Sequence, residues 1–389
     1  MNAGKVAVVG AGLSGLNAAR NLQSSGYEVR VYEAGDRVGG RVTSDRVDGF
    51  ICDRGFQVIN PAYSELRETG LVQELDIRSL PKGICIVDGD KELIVGDPRN
   101  SLNFVFGDLS PRSGSLKEKF AFLRYLRDET EEVSFGAAMN EVGSLYDRVL
   151  APFLKGVFLT QPDGVSNRMA RELIHWFIKG KPGLPVGGVQ RLPELLSKGL
   201  DIRFNQRVRA IDGTTIYGDG WTEECDAIIV AADPKNAAAL VNLNEPRTLR
   251  CTTWYHALPS GSIATSLLRA PVDGPLVNSI VLSNTATDYA PLDRQLLSTT
   301  SLEPMGDSQV LAELQKLWRS DLSGIELIAR YEIEDALPEH TVEHPLLGPL
   351  KILDGVYVAG DWRAIPAQQG ALLTGRLVAA RVKADLQAR

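Results

Sequence analysis

Three glycines near the start of the chain have the spacing of a phosphate-binding turn. They form the pattern G-x-G-x-x-G between an apolar segment at 5–9 and a segment with helical periodicity at 13–24. The first glycine permits a tight turn, the second lets the backbone approach a pyrophosphate, and the third allows close packing of helix on strand. The N-terminus of a helix that begins here also favours an anion. We therefore expect the following residues to hold a dinucleotide: Gly10, Gly12, Leu13, Ser14 and Gly15.

An acidic residue after the second apolar segment narrows the choice of dinucleotide. Glu33 directly follows Glu28–Tyr32, which is where a carboxylate can bind a ribose 2′-hydroxyl. Its charge would repel a 2′-phosphate, so FAD or NAD is favoured over NADP. A surface acid at the end of a strand is the alternative interpretation. Ala34 is expected to lie beside the same cofactor.

A double glycine flanked by arginines follows at 37–41. Gly39 and Gly40 allow the backbone to lie against a second part of a long cofactor, and Arg37 and Arg41 can reach phosphates. Simple NAD dehydrogenases do not need this element. The alternative is an ordinary turn between strands.

A glycine and an aspartate near the other end of the chain form a second candidate site. Gly360 and Asp361 follow a predicted strand, Val356–Ala359, and a carboxylate at that position can bind a ribityl chain. A helix predicted from Gln369-Gly370 would direct its positive end at a flavin, whose reduced form carries negative charge. A terminal helix that packs on the sheet is the alternative, and both interpretations are compatible.

Alternating strands and helices must position these residues. Lys5–Val9, Leu13–Ser24 and Glu28–Tyr32 predict one βαβ unit with a right-handed crossover. Regions rich in strands are predicted at 202–231 and 251–330. An amphipathic helix is predicted over Leu116–Leu126, with these residues on its apolar side: Leu116, Phe120, Leu123 and Leu126. Its opposite, basic side is interpreted as a solvated face rather than a membrane-binding one.

The composition is that of a globular protein without a nucleic-acid partner. The 389 residues suffice for two domains, and the net charge of −7 lacks the basic character that nucleic acid requires. The four cysteines, Cys52, Cys85, Cys225 and Cys251, have no ligand-like spacing, so we expect no disulfide and no metal site. No segment is apolar for long enough to span a bilayer, so a cytoplasmic location is expected. Contact with a membrane surface stays an open alternative.

Taken together, these segments resemble the flavin amine oxidase and phytoene desaturase superfamily, which also includes protoporphyrinogen oxidases and renalase-like proteins. The similar segments are Val6–Arg41, Asp53–Gln57, Leu184–Arg191, Arg207-Val208, Tyr331–Pro338 and Tyr357–Arg376. The resemblance implies FAD as the cofactor. It adds these residues to the expected cofactor contacts: Gly55, Phe56, Gln57, Val208, Gln369, Gly370 and Ala371.

Two positions depart from the family pattern. Many amine oxidases carry an arginine two residues after the ribose-binding acid, and Gly35 stands there in this chain. Some members bind FAD covalently through a cysteine near the C-terminal motif, but no cysteine follows Cys251. We therefore expect non-covalent FAD.

The expected fold is α/β, with a Rossmann-like FAD-binding domain and a discontinuous second substrate domain of mixed sheet plus helices. We predict that 1–55, 184–250 and 345–389 form the FAD-binding domain. The substrate domain would then comprise 56–183 and 251–344, with the active site between the two domains.

The function expected from these features is an FAD-dependent oxidoreductase. It would remove a hydride from an amine, or from an apolar C–C or C–N centre, of a small organic substrate. The segments that resemble desaturases favour an apolar substrate. Its electron acceptor is open among oxygen, a quinone and others. The alternatives are an NAD-linked dehydrogenase and a non-catalytic FAD-binding scaffold. The histidines, His175, His256, His340 and His344, form no ligand or triad pattern, so no catalytic residue is assigned.

Overall fold

The computed structural model describes residues 4–81, 83–96, 114–127 and 131–388. Its strands in chain order are β1 (Lys5–Val9), β2 (Glu28–Tyr32), β3 (Ser44–Val47), β4 (Phe50–Asp53), β5 (Ile77–Ser79), β6 (Gly83–Asp88), β7 (Lys91–Gly96), β8 (Gly183–Pro185), β9 (Asp201–Arg203), β10 (Val208–Asp212), β11 (Thr215–Gly218), β12 (Trp221–Glu224), β13 (Ala227–Val230), β14 (Thr248–Pro259), β15 (Leu268–Pro271), β16 (Leu276–Val281), β17 (Arg294–Ser301), β18 (Glu326–Pro338), β19 (Lys351–Leu353) and β20 (Val356–Val358).

Helices cover the faces of the sheets and one end of the molecule. In chain order they are α1 (Leu13–Gln23), α2 (Ser64–Glu68), α3 (Leu116–Arg127), α4 (Phe135–Ala138), α5 (Ala151–Phe158), α6 (Asn167–Lys179), α7 (Arg191–Ser197), α8 (Pro234–Leu240), α9 (Asp307–Trp318) and α10 (Gln368–Gln387). None of those in the described ranges combines the length and the apolar content needed to cross a bilayer.

A six-stranded sheet contains both ends of the chain, in the order β19-β20-β13-β1-β2-β9. Strand β1 lies in its middle and pairs in parallel with β2 and with β13. Its sequence KVAVV is buried along nearly its whole length, as the central strand of a parallel sheet covered on both faces requires. The predicted strand–helix–strand unit is confirmed, and its helix ends at Gln23.

A seven-stranded sheet is built from later segments, in the order β18-β14-β17-β16-β15-β6-β7. It is mixed, since β6 pairs in parallel with β15 and the other neighbours are antiparallel. The predicted domain division stays a prediction. Each of the two large sheets falls within one of the proposed domains, apart from the start of β14 at Thr248, which precedes the proposed boundary.

The first and last helices of the chain pack directly on each other. A Cβ added to Gly375 of α10 would lie 2.3 Å from the Ser14 carbonyl oxygen of α1, so only glycine allows this approach. The Asn17 side chain donates a hydrogen bond of 2.7 Å to the Leu372 carbonyl. This contact places the N-terminal ends of both helices at one edge of the six-stranded sheet.

The helix α3 buries a face that overlaps only in part with the one expected. Leu116 and Phe120 are 54% and 58% exposed, whereas Lys119 is only 2% exposed. The prediction was therefore wrong for Leu116 and Phe120, whereas Leu126 and Leu123 of the predicted side do pack into an apolar cluster formed by α3 to α6. Phe122 and Tyr125 pack into the same cluster and widen the buried face. The aromatic side chains of this tertiary cluster outweigh the leucine periodicity on which the prediction depended.

Candidate functional site

A cavity of about 1120 Å³ begins at the carboxyl ends of β1 and β2 and extends to β18 of the seven-stranded sheet. It exceeds the range of roughly 300–1,000 Å³ that is usual for drug-sized ligands, so it can hold a larger molecule. Most residues expected at the cofactor line it: Gly10, Gly12, Leu13, Ser14, Glu33, Ala34, Gly39, Gly40, Arg41, Gly55, Phe56, Gln57, Val208, Gly360, Asp361 and Ala371. The fold thus brings segments from both chain ends and the middle to one cavity.

Three residues of the expected set do not line this cavity. Gly15 packs under the turn, where an added Cβ would lie 2.0 Å from the Gly10 carbonyl oxygen. Gln369 turns away and donates a 2.8 Å hydrogen bond to the Ser64 hydroxyl. Gly370 packs against the backbone of Ile365, since an added Cβ would lie 2.0 Å from the Ile365 carbonyl oxygen. At the start of α10, the cavity is instead lined by Pro366, Ala367, Gln368 and Ala371.

The glycine turn presents bare backbone to the cavity. Gly10 has φ +104°, and a Cβ there would lie 2.6 Å from the Ala231 carbonyl oxygen, so no other residue fits. A Cβ on Gly12 would meet no atom within 4 Å. Gly12 is also the N-cap of α1 and has no side chain to accept from the first N–H groups of that helix. These donors and the helix dipole are therefore available to an anion in the cavity.

The double glycine lies against the glycine turn. The Gly39 N–H donates a 2.8 Å hydrogen bond to the Ala11 carbonyl. Gly39 and Gly40 both have positive φ, +124° and +58°, which explains the pair. Arg41 lines the cavity as expected, but Arg37 is absent from its lining. Arg37 forms an ion pair of 2.7 Å with Asp45 of β3, which does not support its expected role at a phosphate.

Glu33 is held by the backbone of two neighbouring loops. Its Oε2 accepts a 2.8 Å hydrogen bond from the Ala11 N–H, and its Oε1 accepts one of 2.7 Å from the Gly35 N–H. The carboxylate therefore fixes the glycine turn while it also lines the cavity. Gly35, the departure from the family pattern, contributes only its backbone N–H to the acid, a contact that any residue except proline could make.

Asp361 joins the two ends of the chain. Its Oδ1 accepts from the Arg41 guanidinium across 320 positions of sequence. The Asp361 side chain is 6% exposed and that of Arg41 is 33% exposed. The loop before it is fixed by Thr374 of α10, whose hydroxyl accepts a 3.0 Å hydrogen bond from the Gly360 N–H. The carboxylate thus lies in the cavity wall in a defined position.

A buried carboxylate supports the segment that contains Gly55, Phe56 and Gln57. Asp53 is 1% exposed and accepts from Ser44, from the Val189 N–H and from Tyr289, at 2.5, 3.1 and 3.0 Å. Burial raises the pKa of Asp53 to about 6, although these hydrogen bonds oppose the shift. This network connects the β3–β4 hairpin to the loop before α7. It therefore fixes the start of the segment at 55–57, which lines the cavity.

The far wall of the cavity comes from helices and strands that the sequence analysis did not identify as part of the site. The residues are Gly156 and Val157 of α5, Leu173 and Phe177 of α6, Cys251 of β14, Asn278 of β16 and Thr300 of β17. One signal was available, because apolar residues at 169, 170, 173, 174 and 177 have helical spacing and predict α6. Nothing local indicates that Asn278 or Thr300 would reach the same cavity.

Comparisons with known proteins agree with this geometry. The family model described as flavin containing amine oxidoreductase matches residues 13–270. Polyamine oxidase 4 of Oryza sativa subsp. japonica is 29% identical over 255 residues, which cover 58% of this chain and 50% of that protein. Protoporphyrinogen oxidase 2 of Arabidopsis thaliana is 30% identical over 178 residues, 42% of this chain and 34% of that protein.

The match spans half the length of this polyamine oxidase and 34% of the length of this protoporphyrinogen oxidase. Among solved structures, an oxidoreductase from Methanosarcina mazei superposes with a TM-score of 0.76 at 18% identity. The superposition covers 96% of this chain and 99% of that one. At this identity the likeness concerns the fold, and it extends over nearly the whole chain.

Proposed function

Because the chain belongs to the flavin containing amine oxidoreductase family, we propose that it is an FAD-dependent oxidoreductase that acts on an amine. In this reaction the substrate loses a hydride from the carbon next to nitrogen and a proton from the nitrogen, which leaves a C=N bond. FAD, when bound, accepts the hydride with its two electrons. The observation that carries the proposal is the cavity, whose wall joins the glycine turn to Asp361.

The described residues fit this cofactor along its length. The bare N-terminus of α1 at Gly12 suits the pyrophosphate, and Glu33 suits a ribose hydroxyl. Asp361, buried and fixed by Arg41, suits the ribityl chain. The N-terminus of α10, where Ala367 and Gln368 line the cavity, would face the flavin ring and stabilise negative charge on it.

The residues of the far wall would exclude water and orient the substrate. Val157, Leu173 and Phe177 present apolar side chains to the cavity. Hydride transfer to a flavin requires a dry site and correct orientation more than a strong acid or base. We assign no proton-transfer residue. The relatives described above give no support to an NAD-linked dehydrogenase or a non-catalytic scaffold.

An absorbance spectrum followed by an anaerobic titration tests the proposed function. Purified protein should show the bands of oxidised flavin, and a primary or secondary amine should bleach them in the absence of oxygen. Full bleaching by dithionite without bleaching by any amine in a broad panel would overturn the amine assignment. A colourless protein that does not bind added FAD would overturn the cofactor assignment. Reoxidation by oxygen or a quinone then identifies the electron acceptor.

We expect acid to release all of the FAD. Cys251 lines the cavity, but burial raises the pKa of its thiol to about 11, so it stays protonated and poorly nucleophilic at neutral pH. Trichloroacetic acid precipitation should leave the flavin in the supernatant, for the wild type and for Cys251→Ser alike. Flavin that stays with the pellet of the wild type but not of the variant would identify a thioether and contradict the prediction.

Glu33→Ala should weaken FAD binding roughly tenfold to a hundredfold. The ribose would lose an acceptor in a charge-assisted hydrogen bond of about 1.5–3 kcal/mol, and the glycine turn would lose its anchor at Ala11. The measurement is a fluorescence titration of apo-protein with FAD. Asp36→Ala, which removes an exposed acid three residues away, is the matched control and should leave the affinity within about twofold. Equal affinities of both variants would show that Glu33 is only a surface acid.

Cellular location stays a prediction. All four cysteines are buried and unpaired, which is usual for proteins of a reducing compartment. We therefore keep the proposal of a cytoplasmic enzyme with a small-molecule substrate and without a nucleic-acid partner.

A further inference from the structure

A second cavity, here called the side pocket, opens beside the main cavity in the helical end of the molecule. Its volume is about 160 Å³. Six residues belong to the walls of both cavities, so the two adjoin: Phe56, Val58, Gly156, Val157, Phe177 and Asn278. The rest of its wall comes mainly from α5, α6 and the neighbouring strands.

The wall of the side pocket is apolar. Among the described residues that line it, none is charged, and the side chains are mainly aliphatic and aromatic, such as Val149, Phe153, Ile174 and Ile280. A protonated amine placed there would lose its hydration without gaining a carboxylate partner, which costs several kcal/mol. The pocket therefore selects against the second charged group of a diamine or polyamine.

The volume sets the size of the group that fits. An apolar protein cavity of about 150 Å³ stays dry and binds benzene. The side pocket has nearly this volume and a similar lining. An aromatic ring or a branched alkyl group of comparable size would fill it, whereas a methyl group would leave most of it empty.

Asn278 marks the boundary between the two cavities. It is 5% exposed, and its Oδ1 is buried without a hydrogen-bond partner among the described residues. Helix α5 comes close at this point, since a Cβ added to Gly156 would lie 2.9 Å from the Asn278 Nδ2. A buried amide oxygen that lacks a hydrogen-bond donor is costly, and a donor group of a ligand at the boundary would remove that cost.

We propose that the side pocket binds an uncharged apolar group of the substrate, about the size of a benzene ring, and that Asn278 hydrogen-bonds the polar group beside it. The inference rests on the proposed function and names its substrate class as amines with one aryl or branched alkyl substituent. Asn278 is then a specificity-determining residue. The reacting C–N bond lies on the main-cavity side of Asn278, and the apolar group lies beyond it.

Benzene tests the side pocket without any turnover. We expect saturating benzene to raise the melting temperature of the purified wild-type protein by binding the folded state. Val157→Phe and, independently, Ile178→Phe place a ring in the pocket and should abolish this rise. Leu123→Phe, which enlarges a half-buried side chain of α3 outside the pocket, is the matched control and should retain it. No rise in the wild type, or equal rises in all four proteins, would overturn the proposal.

Amine binding tests the substrate class. With FAD-loaded protein under anaerobic conditions, 2-phenylethylamine should perturb the flavin absorbance at a concentration roughly ten- to a hundredfold below that of ethylamine. Val157→Phe should remove this difference, whereas Leu123→Phe should keep it. Asn278→Leu should weaken 2-phenylethylamine binding by roughly two- to tenfold and leave the benzene effect intact. Equal affinities of the wild type for 2-phenylethylamine and ethylamine would overturn the proposed substrate class. If FAD were absent, the proposed function would fail while the benzene measurement still decided on the pocket.

Discussion

Replacing Gly12 by aspartate should abolish FAD binding without destabilising the fold. A Cβ on Gly12 meets no atom within 4 Å, so the new side chain fits. Aspartate is a better N-cap than glycine by a few tenths of a kcal/mol, so the apo-protein should melt at the same temperature or slightly higher. The same carboxylate would occupy the anion site of α1 and repel the pyrophosphate by several kcal/mol. The expected loss of FAD affinity is therefore at least about a hundredfold.

Two glycine variants and two measurements make this prediction specific. Gly12→Ala adds only an uncharged Cβ at the point where the backbone approaches the pyrophosphate, so it should weaken FAD binding by less than Gly12→Asp does. Gly15→Ala should lower the melting temperature of apo- and holo-protein alike, because its Cβ would lie 2.0 Å from the Gly10 carbonyl oxygen. Thermal unfolding and an FAD titration distinguish the three variants Gly12→Asp, Gly12→Ala and Gly15→Ala. If Gly12→Asp binds FAD as well as the wild type, the phosphates are held elsewhere.

Asp361→Ala should weaken FAD binding by roughly tenfold to a hundredfold, because the ribityl chain would lose a charged acceptor. The variant also leaves Arg41 without its ion-pair partner, so the apo-protein should lose some stability. The holo-protein should lose more, since it loses the cofactor contact as well. The measurement is the melting temperature with and without saturating FAD, combined with a titration of the apo-protein.

A double-mutant cycle separates the two effects of this substitution. Arg41→Met removes the ion pair and leaves the Asp361 carboxylate in place, and the double variant removes both. We expect the apo-protein stabilities to be non-additive, because the two residues contact each other. Equal destabilisation of apo- and holo-protein by Asp361→Ala would mean that Asp361 serves only the loop and α10.

Local sequence patterns were sufficient where a residue's role depends on its neighbours in sequence. The strands at 5–9 and 28–32, the helix between them and the glycine turn were predicted with their bounds nearly correct. A buried central strand and a positive φ at glycine leave direct marks on composition and spacing. The position of Asp361 directly after a predicted strand indicated the same cofactor, although more than 300 residues separate it from the turn.

Roles that depend on which side chains meet in the folded protein were missed. Arg37 and Arg41 look equivalent in sequence. In the structure Arg37 forms an ion pair with Asp45, whereas Arg41 forms one with Asp361. Gln369 was expected at the cofactor, yet each residue of a helix points about 100° from the previous one, and it is Gln368 and Ala371 that face the cavity. Asn278 becomes part of the wall only because Gly156 allows α5 to approach its strand.

The ion pair between Arg41 and Asp361 joins two residues that are made at very different times during synthesis. Arg41 leaves the ribosome 320 residues before Asp361. At about 5–20 residues per second, roughly 15–60 s pass between the synthesis of Arg41 and the synthesis of Asp361. For the first part of that interval β1 also lacks its neighbour β13, which is complete only once residue 230 has been made. FAD can therefore be enclosed only after Asp361 has been made, and a chain interrupted before that residue could not close the cavity around its cofactor.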